Sequence, residues 1–387
     1  MAEEFSWTRG QEGAVLSSFF LGYALTQIAG GWLADRFGGG KVLAGGVTLW
    51  SLCTLLTPSA ASLGVPSLLL MRTMMGVGEG PAFPAIHSMI SRGVGREARS
   101  TAVGVVTAAS YIGSFGALSI SPVLIQQYEW PSVFYVFGVA GLLWLPAWAA
   151  FYFAGGTPPP PPSTETISGS SPGSLGEGED ATTGGLIRRL GSEKGVWGII
   201  AAQYTQSWGL YGMLSWLPTL ISERYGIATS DLGSFTVAPY VVQGVVGLGA
   251  GVVADRLMST GMRAKTTRQI MQGAGMVGPA ALLLGASSPS NSVDQATLLI
   301  TLGLGLSALT LGGVSAAHLD LSRRHSGIIF GMGNTAGTLG GFVSTYACGA
   351  LQEATQSWGS VLVVIAAHYL VGALLFHIWV DDTPLEY

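Results

Sequence analysis

The chain has 387 residues, with 17 Lys or Arg against 21 Asp or Glu, so charged side chains make up only 10% and the net charge is −4. An apolar content of 49%, 58 glycines and a mean hydropathy of +0.48 leave too little charge to cover a water-exposed surface, where about 25% is usual. This excludes a soluble enzyme as the default reading, and the slightly acidic balance offers no basic face to a nucleic acid.

In chain order, eleven apolar stretches are expected to cross a membrane: 13–33, 42–62, 67–91, 101–126, 132–153, 196–217, 234–254, 270–287, 296–317, 327–351 and 359–380. Each has the roughly 18 to 25 residues that span a bilayer. Cys53 and Cys348 both fall inside these stretches, far apart, with neither metal-ligand spacing nor a disulfide framework, and read as small buried hydrophobes. The longest polar segment, 154–195, opens with Pro158 to Pro162 and continues in Ser, Gly, Glu and Thr up to Arg188-Arg189. Its composition cannot form a core, so a flexible linker is expected between an N-terminal half, 1–153, and a C-terminal half, 196–387. Fourteen basic residues, from Arg36 and Lys41 to Arg323 and Arg324, fall on one side of this arrangement, and only Arg9 and Arg224 on the other. Such a bias marks the cytoplasmic or stromal side and puts the linker there.

The halves repeat one another. Gly31-Trp32-Leu33-Ala34-Asp35-Arg36 recurs 220 residues later as Gly251-Val252-Val253-Ala254-Asp255-Arg256. A looser echo links Arg99 and the Gly-rich helix after it to Arg324 and its own Gly-rich helix. Duplicated halves around a polar linker are a common construction of secondary transporters. In the second half the Ala-Asp-Arg loop follows the second span, whereas in the first half it follows the first. The comparison leads to the expectation that one helix is missing before residue 13, the alternative being a genuine eleven-helix protein.

Gly31-x-Leu33-Ala34-Asp35-Arg36-x-Gly38-x-x-Lys41 resembles the signature loop of the major facilitator superfamily. Further segments resemble its anion:cation symporter family, which includes sialin, vesicular glutamate transporters and plant plastid phosphate transporters. They are Ser18 to Gln27, Gly78-Glu79-Gly80-Pro81-Ala82-Phe83-Pro84-Ala85-Ile86-His87, Trp130 to Tyr135, Trp216-Leu217-Pro218-Thr219 and Gly333-Asn334-Thr335-Ala336-Gly337. The resemblance covers nearly the whole chain outside the linker, with the plant phosphate branch nearest. It implies an all-α polytopic membrane protein, a major facilitator-type two-half helix bundle with about eleven transmembrane helices, twelve minus the first. The family's first helix, with its substrate-binding Arg, has no counterpart in this sequence.

A charge at bilayer depth is costly and should face a cavity or a partner. Arg72 and Glu79 stand out: seven residues apart, they share one helix face, about 10 Å apart along the axis. Arg72 suits an anionic substrate through its planar fork of donors, and Glu79 suits exchange of a coupled ion. His87 lies two turns further on, past Gly80, Pro81 and Pro84, which allow a kink. The resemblance implies substrate binding and proton coupling for these three; the alternative is an ion pair that only locks helices together. Asp35, Arg36, Asp255 and Arg256 are expected in tight basic-side loops, as a gate or as a static anchor, without touching substrate. His318 and Asp320 are placed at the start of a loop, either as a latch or simply solvated; Ala317 stands where the resemblance calls for Asn. At Gln206 relatives often carry His or Arg, so a hydrogen-bonding group remains but a positive charge is lost. Tyr23, Gln27, Tyr111, Tyr211, Asn334 and Thr335 are polar groups on apolar helices, and Tyr23, Gln27, Gln206, Tyr211 and Asn334 join Arg72 as candidate substrate contacts. His368 and His377 read as satisfied or interfacial side chains.

No catalytic constellation and no phosphate loop is present, so any transport would draw on a gradient and not on ATP. The expectation is a secondary transporter of inorganic phosphate or a small organic anion, driven by co-transported H⁺ or Na⁺, with no metal or other cofactor. A monomer in a plastid membrane (thylakoid or inner envelope) is expected, with vesicular or plasma membranes as alternatives; its partners are the substrate anion and membrane lipid. The competing reading is a truncated membrane protein that no longer transports and acts as a scaffold or regulatory partner.

Overall fold

The computed structural model describes residues 4, 5, 7, 9–154, 183–227, 238–381, 383 and 385; the Tyr111 side chain is also outside the described set. Among the described residues all regular structure is helical. In chain order the helices are α1 (Arg9–Phe37), α2 (Gly39–Ser62), α3 (Val65–Glu79), α4 (Ala82–Gly93), α5 (Arg99–Tyr128), α6 (Pro131–Ala154) and α7 (Thr183–Leu190). They continue as α8 (Lys194–Tyr225), α9 (Ala238–Ser259), α10 (Ala264–Ala286), α11 (Val293–Ser307), α12 (Val314–Leu321), α13 (Ser326–Thr355) and α14 (Trp358–Trp379). Of the polar segment 154–195, residues 155–182 lie outside the described set, and Thr183–Leu190 forms α7.

Each of the eleven apolar stretches is helical, the seventh being described from Ala238 onward. By length and composition alone, five helical stretches among the described residues suffice to cross a membrane: Gly39–Ser62, Pro131–Tyr152, Ala238–Ser259, Val293–Leu321 and Trp358–Trp379. α13 is rich in Gly, Ser and Thr, which lets neighbouring backbones approach, and α8 includes Lys, Gln, Glu and Arg, which lower its hydropathy. Their hydroxyls are largely satisfied along their own helix. Thr57 Oγ1, for example, donates to the Cys53 carbonyl at 2.8 Å in α2, one residue before the helix-interior Pro58.

Two stretches are broken. Residues 67–91 divide into α3 and α4 at Gly80-Pro81. The Gly80 N–H still reaches the Gly76 carbonyl at 2.8 Å and the Ala85 N–H reaches that of Pro81 at 2.9 Å, so the axis kinks without reversing. Residues 296–317 divide into α11, a 3₁₀ turn (Ala308–Leu311) and α12. This corrects the expected position of His318 and Asp320: they lie inside α12, 0% and 5% exposed, and not in a solvated loop. The helix restarts after Gly312-Gly313, so a polar residue that reads as the end of a span is the second half of a buried one.

The chain forms two compact units. Unit 1 comprises Met1–Gly93, Ile112–Arg188 and Arg323–Met332; unit 2 comprises Val94–Tyr111, Arg189–Ser322 and Gly333–Tyr387. Each sequence half therefore lends one short segment to the unit built mainly from the other. In unit 1, α1 packs along α3 and α4, and α2 packs on α3, α4 and α6. The α1–α3 contact is backbone to backbone: a Cβ on Gly22 would collide with the Thr73 carbonyl, and one on Gly76 with that of Phe19. At one end Phe5, Trp7 and Trp130 gather over Val15, Ala61 and Leu68. In unit 2, α8 packs on α14 and α10 packs on α11 and α14, around a core that includes Trp208, Leu217, Met276, Ile365 and Tyr369.

Candidate functional site

Arg72 and Glu79 sit on α3, as their spacing requires. Arg72 is half-buried, with its guanidinium carbon 5.8 Å from the centroid of Phe19, and Phe19 in turn stacks on Tyr23 at 5.7 Å. Glu79 is exposed in the last turn of α3. The two charges attract one another through space but make no direct ion pair, and Arg72 Nε is buried without a hydrogen-bond partner. That arrangement differs from a closed structural pair. A guanidinium with spare donors at bilayer depth can take an oxyanion, and an exposed carboxylate nearby can take a cation. The glycines set the geometry, because Gly76 and Gly80 let α3 lie directly on α1 and present both charges from one rigid helix pair.

His87 is on α4, beyond the kink. It is 3% exposed and its ring stacks on Phe330 with centroids 3.9 Å apart and planes 15° apart. Gln27 is fully buried, and its backbone carbonyl lies against Gly331, where a side chain would not fit. The kink thus separates His87 from the Arg72–Glu79 face and packs it against the first turns of α13.

Asp35 ends α1 beyond the expected span 13–33. Its Oδ1 accepts from the Gly327 N–H at 3.3 Å and its Oδ2 from the Ile328 N–H at 3.0 Å, so the carboxylate caps the N-terminus of α13. Ser88 Oγ donates to Oδ1 at 2.6 Å, and an Arg92 Nη lies 3.5 Å from the same oxygen. Burial pushes the Asp35 carboxyl up to about 6, against the opposing pull of Ser88, Ile328, Arg92 and Gly327. Gly31 makes the approach possible, since a Cβ there would collide with the Gly327 carbonyl. The tight turn that follows needs Gly38, whose φ of 97° is left-handed. Arg36 points outward over Trp32, 5.3 Å from its centroid.

The repeat builds the same contact in unit 2. Asp255 Oδ1 accepts from the Ser100 N–H at 3.2 Å and Oδ2 from the Thr101 N–H at 2.7 Å, capping the N-terminus of α5. Here Gly251 is the close-contact residue, with the Ser100 carbonyl where its Cβ would be. Arg256, like Arg36, is exposed. Next to this cap lies a group that sequence reasoning missed. Arg268, 1% exposed, donates through Nε to Asp320 Oδ2 at 2.8 Å and through Nη1 to Ser100 Oγ at 2.7 Å and the Gly312 carbonyl at 2.9 Å. Ser88 and Arg92 were also missed as partners of Asp35. The available signal was i, i+4 spacing of polar groups at span edges: Ser88 with Arg92, and Arg268 with Gln272.

Elsewhere in unit 2, Gln206 is half-buried on α8 and donates through Nε2 to Thr310 Oγ1 at 2.6 Å. Tyr211 is 49% exposed and lies against Gly341; Asn334 is half-buried on α13. His368 is satisfied, with its ring on Trp208 at 3.8 Å and Nδ1 2.9 Å from the Val364 carbonyl.

Two helical units, duplicated helix-capping aspartates, an Arg–Glu face on α3 and helices long and apolar enough to cross a membrane define a multi-pass integral membrane protein built from a repeated half. The chain belongs to the Major Facilitator Superfamily, whose family model matches residues 1–345. It is 38% identical over 98% of its length to Probable anion transporter 1, chloroplastic, of Oryza sativa subsp. japonica, covering 71% of that protein. It is 36% identical to the Ascorbate transporter, chloroplastic, and 35% identical to the Sodium-dependent phosphate transport protein 1, chloroplastic, both of Arabidopsis thaliana. Each of these matches spans 98% of this chain, and they cover 69% and 73% of the two relatives. Among solved structures, the E. coli fucose:proton symporter FucP superposes with a TM-score of 0.76 at 14% identity, over 98% of this chain and 93% of that one. At that identity the likeness speaks for the fold.

Proposed function

We propose that this protein is a secondary active anion transporter of a plastid membrane, working by alternating access. The observation that carries the reading is Arg72, whose buried Nε has no hydrogen-bond partner, two turns from the exposed Glu79 on one face of α3. The relatives support the class, since they are named for anion, ascorbate and phosphate transport. Arg72 binds the anion, with Tyr23 beside it, and Glu79 carries the coupled H⁺ or Na⁺. Gln206, Tyr211 and Asn334 offer neutral hydrogen-bonding groups in unit 2, and Gln27 and His87 are the buried polar side chains of unit 1 proposed to take part in binding and coupling. Inorganic phosphate or a small organic anion such as ascorbate is the substrate. Asp35 and Asp255 serve as latches on helix N-termini, with Arg36 and Arg256 on the exposed side of each, and His318 and Asp320 belong to the second latch.

The test is uptake of phosphate and of ascorbate by liposomes holding the purified chain, under an imposed Na⁺ or pH gradient. Arg72→Ala is expected to lower kcat/KM for the transported anion on the order of 30-fold, the value of a lost charge-assisted contact of about 2 kcal/mol. Glu79→Gln should leave exchange without a gradient but abolish gradient-driven accumulation. Wild-type rates in both variants would remove the residue assignments. No uptake of either anion under either gradient would favour the non-transporting scaffold.

A further inference from the structure

Gln206 on α8 is a candidate substrate contact, and its neighbours fix which end of its amide is on offer. Nε2 donates to Thr310 Oγ1 at 2.6 Å. The Thr310 hydroxyl has a single proton, and that proton goes to the Ser307 carbonyl at 2.6 Å. Thr310 Oγ1 therefore meets the amide as an acceptor, and only the NH₂ end of Gln206 fits against it. The threonine is itself held in place. It is fully buried and stiff at χ1, and a Cβ on Gly275 of α10 would lie 2.8 Å from both its Cγ2 and its backbone N. Its methyl is thus packed on α10, and its hydroxyl is left for α8.

Three residues earlier the same arrangement is made with a different helix. Gln243 on α9, itself buried, donates through Nε2 to Ser307 Oγ at 3.3 Å, and that hydroxyl donates to the Leu304 carbonyl at 2.6 Å. In both places an amide gives its NH₂ to a hydroxyl, and the hydroxyl gives its proton to the carbonyl three residues back. The polarity of the string Gln243–Ser307–Thr310–Gln206 is therefore set by backbone carbonyls, which can only accept. Gln206 Oε1 is left with no hydrogen-bond partner among the described residues, on a side chain that is half-buried and not sealed in the core. An amide oxygen offers lone pairs alone. Turned towards an anion, it repels a bare oxygen and attracts one only where the anion brings an O–H of its own. Arg or Lys in its place would offer donors alone and would welcome bare oxygens. A site whose polar group matches a substrate hydroxyl rejects the analogue without it, because the group is then left unpaired.

We propose that Gln206 is a specificity-determining residue with Thr310 as its positioning residue, and that the anion this protein takes carries a hydroxyl that donates to Gln206 Oε1. Hydrogen phosphate and hydroxylated organic acids meet that condition, and sulfate does not. This deepens the transport reading and rests on Gln206 being a substrate contact. The test compares phosphate with sulfate in a mildly alkaline buffer, where both are dianions and differ by one hydroxyl. Binding is read as the anion-dependent rise in thermal midpoint of the purified full chain without Na⁺, beside phosphate uptake by liposomes. The wild type is expected to bind sulfate about tenfold more weakly than phosphate, or worse. Thr310→Val removes the acceptor that holds the NH₂ group, so the amide can turn its donors to the anion. Sulfate binding should then strengthen about tenfold with phosphate held within about twofold, and Thr310→Ser should restore the discrimination. Gln206→Leu should bring the two affinities together by weakening phosphate. Damage to packing weakens both anions, so a gain for sulfate separates positioning from a merely structural role. Equal affinities in the wild type, unchanged sulfate binding in Thr310→Val, or no response to either anion overturns the inference. Discrimination that appears only when Na⁺ is added overturns it as well, because Oε1 then belongs to the cation. Discriminating binding without uptake under any gradient removes the transport reading and keeps the specificity; uptake without discrimination does the reverse.

Discussion

The carboxylate of Asp35 meets the N–H groups of Gly327 and Ile328, and that of Asp255 meets those of Ser100 and Thr101. In each case a glycine four residues earlier lies on the carbonyl of the first N–H donor's own residue. The contacts are copies, but their surroundings are not. In unit 1 the carboxylate itself is embedded in partners, taking Ser88 and Arg92 from α4, and a single residue, Gly38, links α1 to α2. In unit 2 the carboxylate takes its two N–H groups, and the extra polar partners are displaced onto Arg268 and Asp320, which grip the capped helix through Ser100 Oγ. One cap is therefore held through a carboxyl raised to about 6, and the other is backed by a buried ion pair. Duplication preserved the helix-dipole contact, worth about 0.3–2 kcal/mol, and left free how each copy is reinforced.

The largest break in this comparison is Arg268→Met. It removes the Nε bond to Asp320 Oδ2 and the Nη1 bonds to Ser100 Oγ and the Gly312 carbonyl, at an expected cost of about 3–5 kcal/mol, read as a drop in thermal midpoint of the purified protein. Adding Asp320→Leu should recover most of that loss; failure to recover would mean that the bonds to Ser100 and Gly312 outweigh the ion pair. A second test separates the latches by pH. Because burial raises the Asp35 carboxyl to about 6, the engaged form holds its proton more tightly than a released one near 3.8. Its stabilisation is fully present below about 4 and is lost as pH rises through 6, with an upper bound of about 3 kcal/mol. Comparing thermal midpoints from pH 4 to 7 in wild type and Asp35→Asn isolates this contribution, which the variant should lack. Removing the Asp255 carboxylate as Asp255→Ala should cost about 1–2 kcal/mol, the range for a lost N-cap. Smallest is Ser88→Ala, about 1 kcal/mol for one buried hydrogen bond, and it should matter only while Asp35 is present. A double-mutant cycle of Ser88→Ala with Asp35→Asn checks that coupling.

Much of the helical framework was legible from hydropathy alone, because a membrane helix must be apolar over about twenty residues whatever it packs against. The repeat was legible too, and it located both capping aspartates through Ala-Asp-Arg. What hydropathy could not read were the breaks inside spans. The segments on either side of Gly80-Pro81 and Gly312-Gly313 remain apolar, so nothing in a running average marks where one helix stops. The misplacement of His318 and Asp320 came from that source. Arg268 stands just before the expected span 270–287, in the first turns of α10, and at a span edge exposed and buried arginines look alike in sequence.

The low charge content, at 10% of the chain, determined by itself that this is a membrane protein, and the placement of the few charges identified Arg72, Glu79 and the two aspartates as the residues to watch. Those inferences hold because the cost of a charge in hydrocarbon does not depend on the fold. Only the tertiary structure decided which partners each charge has: α13's N-terminus for Asp35, α5's N-terminus for Asp255, the broken helix for Arg268, and no direct partner for Arg72 Nε. Hydrogen bonds depend on ångström-scale approach between segments as far apart as 293 residues along the chain, and a sequence does not carry such distances.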